Sequence, residues 1–380
     1  MQLKSIEYIQ YEGEPEQWSI EGLTFGSINL IVGKNATGKS RVLNIIKNVA
    51  GVIAGDRDVF SNGDSILLFE KDDTSVTFEL DIKANKVVKE KLTIGGDVVL
   101  ERGMGGRGKI KYEKEDGKMI EFQAPENQLA CVTRMDSVQH KFLEPLSQWG
   151  KSLIHYYFGT KLGQDHVLLL VKGKDKEVDP KNTDNVVAMF REGQKLSGSF
   201  VVSVINDMAK VGYNLDEIEV ALAKGLTFKG DVPVPPFQWL SVKESDLNGW
   251  TNQNDMSQGM FRTLSLLIQL NFCFFSSMPS SILIDDIGEG LDYERSSNLI
   301  DLLIEKASNS NIQLTMSTND RFVMNNVPLK YWSVIERLQN KVKFYNYRNA
   351  KDVFDNFDFT GLSNFDFFAS RFHETKLKEK

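Results

Sequence analysis

The sequence predicts an α/β protein: a mixed core sheet, an antiparallel β-subdomain beside it, and an inserted compact helical lobe. Three observations predict it. The apolar run "INLIV" at 28–32 breaks into a glycine-bracketed loop and resumes as a helix. Residues 64–135 read as a succession of short alternating strands, and 142–226 then turn helical. A second apolar run, "ILI" at 282–284, stops at two adjacent acids.

The chain has 380 residues, enough for two or three lobes. Hydrophobic residues make up 41% and charged residues 26%, the proportions of an ordinary globular protein. No apolar run approaches the ~20 residues of a membrane helix, and "MQLKSIEYIQ" has no signal-peptide pattern, so a cytoplasmic protein without a membrane partner is expected. Cys131 and Cys273 are far apart and belong to no CxxC, and the four histidines are scattered, so neither a disulfide framework nor a zinc site is indicated. A net charge of -7 argues against indiscriminate binding along nucleic acid. The glycine-rich basic stretch at 102–118 is diluted by Glu113, Glu115 and Asp116. A solvated hairpin is favoured there over a nucleic-acid contact, which stays open.

The first strand is followed by Gly33, Gly38, Lys39 and Ser40, the pattern G-x-x-x-x-G-K-[ST]. Val42, Leu43, Ile45, Ile46 and Val49 then recur at helical spacing, so the context is strand, loop, helix. Backbone N–H groups of such a loop and of the first helical turn converge on phosphate oxygens. Glycines permit the positive φ angles and the close approach. The segment Gly33, Asn35, Ala36, Thr37, Gly38, Lys39, Ser40 and Arg41 is therefore the candidate nucleotide-binding loop. Lys39 would neutralise the β- and γ-phosphates of ATP, and the Ser40 hydroxyl would ligate Mg²⁺.

Downstream, Asp285 and Asp286 follow the second strand in "SSILIDDIGEGLD". Ligands in open α/β sheets collect at the carboxyl ends of strands. Asp285 suits an acid that holds Mg²⁺, and Asp286 lies where a water-activating base would sit. Between the two strands, "NDMSQGMFRTLSLLIQLNF" places Ser257, Gln258 and Gly259 before a strongly apolar helix, a serine cap on a bare N-terminal turn.

In this order, with "LTMSTND" following, the elements resemble the head of ABC-type ATPases, in the RecF, SMC and OLD-like branch of stand-alone proteins. Ser257, Gly259 and Arg262 match that branch's L-S-x-G-x-x-R signature, and Asp285, Gly290, Leu291 and Asp292 match its D-E-P-E-x-G-L-[HD] motif. The opening strands "LKSIEYIQYEG" and "WSIEGLTFGSINLIVG" are similar as well. The resemblance implies an ABC-ATPase-like head that pairs face to face with a second copy. Each ATP is then sandwiched between one loop and the partner's Ser257, Gln258 and Gly259 acting in trans, with Asp292 in the dimer loop. It implies a glutamine that senses Mg²⁺; Gln139 is the candidate and Gln128 the second. One loop and one signature per chain make a homodimer with two equivalent sites.

Two departures bear on rate. The family's catalytic glutamate is Asp286 here, shorter by about 1.5 Å, and its switch histidine is Asn319. An error near 1 Å can cost about 100-fold. Asn319 can donate a hydrogen bond but shuttles no proton near neutral pH. Lys39, Asp286 and Asn319 are thus the catalytic set, with tight binding and slow hydrolysis expected and a faster rate expected from D286E.

The middle supplies "SILLFEK", "SVTFELDI", "KLTIGG", "KIKYEK" and "MIEFQA" as antiparallel strands. It then supplies "FLEPLSQWGKSLIHYYF", "DNVVAMFREGQ", "FVVSVINDMAKVGY" and "DEIEVALAKG" as short helices. No sustained heptads appear, so no long coiled-coil arm is expected. "DVPVPP" punctuates the end of the lobe. The organisation expected is residues 1–141 as ATPase lobe I, 142–235 as helical lobe, 236–350 as ATPase lobe II, and 351–380 as an aromatic, acidic tail. That tail carries seven phenylalanines from Phe354 to Phe372. Packing on its own domain is slightly favoured over docking to a partner. It has no acid pattern for an appended nuclease.

These readings converge on an ATP-gated dimeric switch that hydrolyses ATP slowly. It would act for a separate effector, a nuclease or toxin, in bacterial antiviral defence or DNA maintenance. A non-hydrolytic ATP-dependent scaffold is the alternative, and a transporter's nucleotide-binding subunit ranks below it.

Overall fold

The computed structural model describes residues 1–113, 117–169, 178–223, 237–276 and 281–375. It divides into two units. The first comprises Met1–Leu153, Ser281–Leu283 and Asn311–Lys380, and the second Ile154–Ser280 and Ile284–Ser310. The four consecutive stretches expected from the sequence are thus regrouped. The signature helix and the acid loop join the middle of the chain, while residues 311–350 and the tail join the N-terminal stretch. The "DVPVPP" punctuation and the expected boundary at 235 lie outside the described residues, as do Glu115 and Asp116.

In chain order the elements begin with β1 (Gln2–Gln10), β2 (Trp18–Thr24), β3 (Ile28–Val32) and α1 (Lys39–Ala54). Next come β4 (Asn62–Lys71), β5 (Thr74–Lys83), β6 (Lys86–Ile94), β7 (Asp97–Arg102), β8 (Arg107–Lys111) and β9 (Met119–Gln123). Then follow α2 (Ala130–Thr133), α3 (Glu144–Ser152), β10 (Leu153–Tyr157), β11 (Leu168–Leu169), α4 (Val186–Leu196), α5 (Phe200–Val211) and β12 (Leu215–Leu222). The chain continues with β13 (Phe237–Glu244), β14 (Trp250–Asn252), α6 (Gln258–Phe275), β15 (Ser281–Asp285), α7 (Tyr293–Ser308) and β16 (Gln313–Thr318). It ends with α8 (Arg321–Asn326), β17 (Trp332–Leu338), β18 (Lys341–Asn346), α9 (Lys351–Asp358), α10 (Asn364–Ala369) and α11 (Phe372–Thr375).

In the first unit the strand order is β15-β16-β3-β17-β18-β2-β1-β4-β5-β6-β7-β8-β9. β3 is flanked by parallel neighbours, with Val32 opposite Thr318 on one side and Val334 on the other. All five residues of β3 are buried, as a strand covered on both faces requires. From β1 through β9 every pairing is antiparallel, so the β-subdomain expected at 64–135 is present. Its hairpins turn through Asp72–Asp73, Ala84–Asn85 and Gly95–Gly96, each with both φ positive. That is the primed geometry whose twist matches the flanking strands. α1 buries Val42, Leu43, Ile45, Ile46, Val49 and Ile53 in the same core as β1, β2 and β5.

The tail belongs to this unit and packs on it, as favoured above. Phe354, Phe357 and Phe367 are buried, and Phe367 lies 4.6 Å from Phe354, 5.1 Å from Phe357 and 6.3 Å from Trp332, ring centre to ring centre.

The second unit is built on α6, whose residues from Gly259 to Cys273 are all buried, so α6 is a core helix. α4 and α5 pack against it through rings, with Phe200 5.8 Å from Phe190 and 5.8 Å from Phe275. A small antiparallel sheet of β11, β13, β12 and β14 completes it. Two stretches expected as helix are strands. "LIHYY" is β10, buried along most of its length. "LDEIEVAL" is β12, in register with β13 from Leu215–Glu244 to Leu222–Gln238, with Glu217 and Lys243 bridged at 3.5 Å. In β12 pairing with a distant strand outweighs the local helix preference, while Ile154, Tyr156 and Tyr157 of β10 are themselves strand formers. No helix among the described residues exceeds the 18 residues of α6, so no coiled-coil arm is present there, and none is long and apolar enough to cross a membrane.

Candidate functional site

In the first unit the loop leaves β3 at Gly33. A side chain there would collide with Ile335 Cγ2 and lie 2.8 Å from Thr37 Oγ1, so only glycine fits. Ala36 (φ 61°) and Gly38 (φ 108°) both take the left-handed conformation. Alternating the hand of the backbone turns successive N–H groups inward, the geometry of an anion-binding nest. Gly38 is the N-cap of α1 and offers no side-chain acceptor to the first turn, the arrangement found where helix N-termini receive anions. Thr37 closes the loop, its Oγ1 donating to Lys34 O at 2.8 Å. Lys39 is buried, and its Nζ donates to Gly33 O at 2.9 Å and to Lys34 O at 3.2 Å, folded over the loop's own carbonyls.

Asn319 directly follows β16, whose last residue is in register with the last residue of β3. Its Nδ2 donates to Asn35 Oδ1 at 2.6 Å, so the structure joins the residue after β16 to the loop. Arg41 extends its guanidinium over the Trp18 ring at 4.2 Å. Burial pulls its pKa down, and the neighbouring Arg337 pulls it the same way, while burial pushes the Tyr8 phenol up to about 12. Arg337, marked by no motif, donates to Ala36 O at 3.3 Å. It comes from β17, some 300 residues away from the loop, and only the parallel β3–β17 pairing brings it there.

Gln139 is held by its backbone. Its N–H donates to Asp136 Oδ1 at 2.5 Å and its carbonyl accepts from Glu113 N–H at 3.4 Å, just past β8. β8 and β9 close the sheet at the edge farthest in strand order from β15. Gln128 lines a separate cavity of about 120 Å³ with Arg57 and Asp58.

In the second unit Asp285 ends β15, 5% exposed, and its carbonyl accepts the Phe158 N–H at 3.0 Å just after β10. Asp286 follows with φ 54°, a left-handed backbone that aspartate and asparagine tolerate better than glutamate does. The shorter acid therefore suits the turn, and D286E would gain reach at a backbone cost of about 1 kcal/mol. Ser257 caps α6, its oxygen accepting from Met260 N–H at 3.3 Å. Gly259 lies against the acid loop: a Cβ there would stand 2.7 Å from Gly290 O and 3.1 Å from Leu291 Cδ2.

Arg262 ties the two together. It is 7% exposed and donates to Thr160 O at 2.6 Å, Gly159 O at 3.0 Å, Glu289 O at 3.0 Å and Gln258 Oε1 at 3.4 Å. The sequence marked this arginine only as part of a motif; its partners lie about 27 and 100 residues away. Asp292 caps α7 instead of standing free, accepting from Arg295 N–H at 3.0 Å and pairing with its guanidinium at 2.6 Å, and that backbone bond holds its carboxyl below the usual range. Gln164 and Gln253 lock the remaining loop reciprocally. Gln164 Nε2 donates to Met256 O at 2.9 Å and Gln253 Nε2 to Gln164 O at 2.7 Å.

Among the described residues no cluster of histidine, cysteine or acidic side chains could by itself hold a metal ion, and both cysteines are buried and outside any disulfide. The donor set that the sequence proposes for Mg²⁺, the half-buried Ser40 hydroxyl and the Asp285 carboxylate, consists of hard oxygens, the ligand type that ion takes.

The mixed sheet with its β3–loop–α1 unit, and the small antiparallel sheet beside the core helix α6, have the fold of an SMC head domain. Among solved structures, the SMC head bound to the C-winged helix domain of ScpA shares it with a TM-score of 0.52 at 13% identity, covering 91% of this chain and 97% of that one. The SMC head domain from Thermotoga maritima is similar at 14% identity and a TM-score of 0.45, over 91% of this chain and 99% of that one. An Smc head with an extended coiled coil, bound to the C-terminal domain of ScpA derived from Pyrococcus furiosus, gives 10% identity and 0.48, over 94% and 99%. No protein-family model and no curated protein matches the sequence.

Proposed function

We propose that the chain binds magnesium-ATP on the loop from Gly33 to Arg41 and hydrolyses it slowly, as an ATP-gated dimeric switch acting for a separate effector protein. The single observation that carries this reading is the loop itself. Gly33 is sterically required, Ala36 and Gly38 are left-handed, and the Lys39 ammonium is folded over the carbonyls. Lys39 would leave those carbonyls for the β- and γ-phosphates, a stronger charge-assisted contact. Ser40 and Asp285 would hold Mg²⁺, which when bound neutralises charge on the transferring phosphoryl group. Asp286 would orient the attacking water, and Asn319 would donate a hydrogen bond to the γ-phosphate. Ser257, Gln258 and Gly259 would close on the nucleotide of a second copy, so ATP would make the homodimer and hydrolysis would release it. Bacterial defence or DNA maintenance, through a nuclease or toxin, is the setting this reading favours.

The non-hydrolytic scaffold gains support from Asn319, whose side chain bonds Asn35 and carries no titratable proton. Equilibrium binding of magnesium-ATP, with light scattering at rising protein concentration, tests the reading. Binding that K39A abolishes, with dimers that a Ser257→Arg change prevents, is the expected result. Wild-type chain that takes up no nucleotide at millimolar ATP defeats it. Phosphate release at less than one per hour from a nucleotide-bound dimer would select the scaffold.

A further inference from the structure

We propose that the Arg41 guanidinium is the platform on which the nucleotide's base stacks, so that the site takes purine nucleoside triphosphates, GTP as well as ATP. The inference deepens the nucleotide-binding reading above and rests on it. Every residue that carries it lies in the first unit.

Trp18 begins β2 and is buried. Its ring abuts the loop: a Cβ on Gly38 would stand 3.4 Å from Trp18 Cζ2. Arg41 covers that ring, its Cζ 4.2 Å from the ring centre, and its Nη2 donates to Gln10 Oε1 at 3.3 Å. A side chain that would otherwise sweep through solvent is thereby laid on an aromatic floor. Arg41 is itself exposed, so the side of the guanidinium away from Trp18 is open.

Charge points the same way. Arg337 is anchored beside the same loop, donating to Ala36 O and to Gln339 O, each at 3.3 Å. Burial lowers the Arg41 pKa, and the charge of Arg337 adds to the lowering. Both guanidinium groups bond neutral oxygens only, and among the described residues neither has a carboxylate partner. Two like charges held beside an anion-binding nest favour a polyanion.

The direction of the phosphate chain brings the base to Arg41. Lys39 bonds the carbonyls of Gly33 and Lys34 at the start of the loop, and a lysine at this position serves the β- and γ-phosphates. The α-phosphate then falls toward the end of the loop, where Ser40 and Arg41 stand in the first turn of α1, and the nucleoside leaves past Arg41. A base there completes a stack of three layers: indole, guanidinium, base. Every base has a π-face, so such a stack holds a base without reading its edge. Purines offer it more area than pyrimidines do.

Equilibrium titration of the full chain with magnesium-ATP, magnesium-GTP and magnesium tripolyphosphate, wild type against R41K, tests this. R41K keeps the charge and loses the plane. The wild-type chain is expected to bind GTP within about tenfold of ATP, a comparison that needs no variant. R41K is expected to bind both nucleotides at least about fivefold more weakly, while tripolyphosphate, which has no base, stays within about twofold. A preference for ATP beyond tenfold overturns the proposal by showing that the edge of the base is read. A nucleotide loss in R41K below fivefold overturns it as well, since a point charge then suffices. A larger loss for tripolyphosphate than twofold overturns it by marking a phosphate contact. In each of these cases nucleotide binding on the loop still stands. Wild-type chain that binds none of the three removes that reading and this inference with it.

Discussion

The loop after β3 and the loop after β15 each follow a buried strand, yet they are held in opposite ways. The first is shaped from within. Its turns come from its own Gly33, Ala36 and Gly38, and its buried ammonium bonds its own carbonyls. The second is shaped from outside, by Arg262 reaching from α6 to Glu289 and to the Gly159–Thr160 segment. A loop of the first kind takes most of its shape from its own residues, with Asn319 and Arg337 adding one bond each from far along the chain. A loop of the second kind exists only once distant segments have packed.

The contrast is broken most severely at Arg262. R262A strands three backbone carbonyls in a buried place, and a loss of about 3–5 kcal/mol is expected in urea unfolding. R262K, lacking the planar fork, should recover less than half of it. If R262A unfolds within 1 kcal/mol of wild type, the second loop is not held from outside. Next in size, K39A should weaken magnesium-ATP binding by about 100-fold, roughly 2.7 kcal/mol, with little change in the unfolding midpoint. Such a change confines the ammonium's role to ligand. A large stability loss instead would mean that its two bonds to Gly33 and Lys34 hold the loop in shape.

The same contrast sharpens at the two left-handed residues. D286G should stabilise the chain by about 0.5–1 kcal/mol by relieving the positive φ while abolishing turnover, a separation that thermal melting and phosphate release read together. The smallest effect is expected at the tail, away from both loops. Burial lowers the His373 pKa from its ordinary 6.5, against the opposing pull of Glu374 and Glu336 and with Arg371 adding to the lowering. A base whose folded pKa is depressed contributes stability above its unfolded value. That contribution is lost as pH falls from about 6.5 through the folded pKa. Trp332 packs edge-on to Phe367, so its fluorescence should shift on acidification in the wild type and not in H373F.

The sequence made the inward-held loop legible because every cue lies within about a dozen residues: the glycines, the lysine, the strand before and the helix after. The antiparallel arm was legible for the same reason, through alternation and two-residue turns. What stayed hidden depends on partners far along the chain. β10 continues directly from α3, so its strand-forming Ile154, Tyr156 and Tyr157 are hidden behind the helical stretch before them, and β12 carries charged residues that suit a helix until β13 pairs with it. Arg262 was visible as a motif letter but not as a clamp, and Arg337 and Gly159 gave no signal, since neither carries a local pattern. The rearranged grouping of the chain into two units has the same origin.

The placement of β3 carries a further consequence, for synthesis. Both of its parallel neighbours, β16 and β17, are translated almost 300 residues after it. At about 5–20 residues per second, the strand bearing the glycine-bracketed loop leaves the ribosome tens of seconds before either partner exists. A chain that stops short of β17 leaves one flank of β3 unpaired, and during the interval this wholly buried strand would need cover from chaperones.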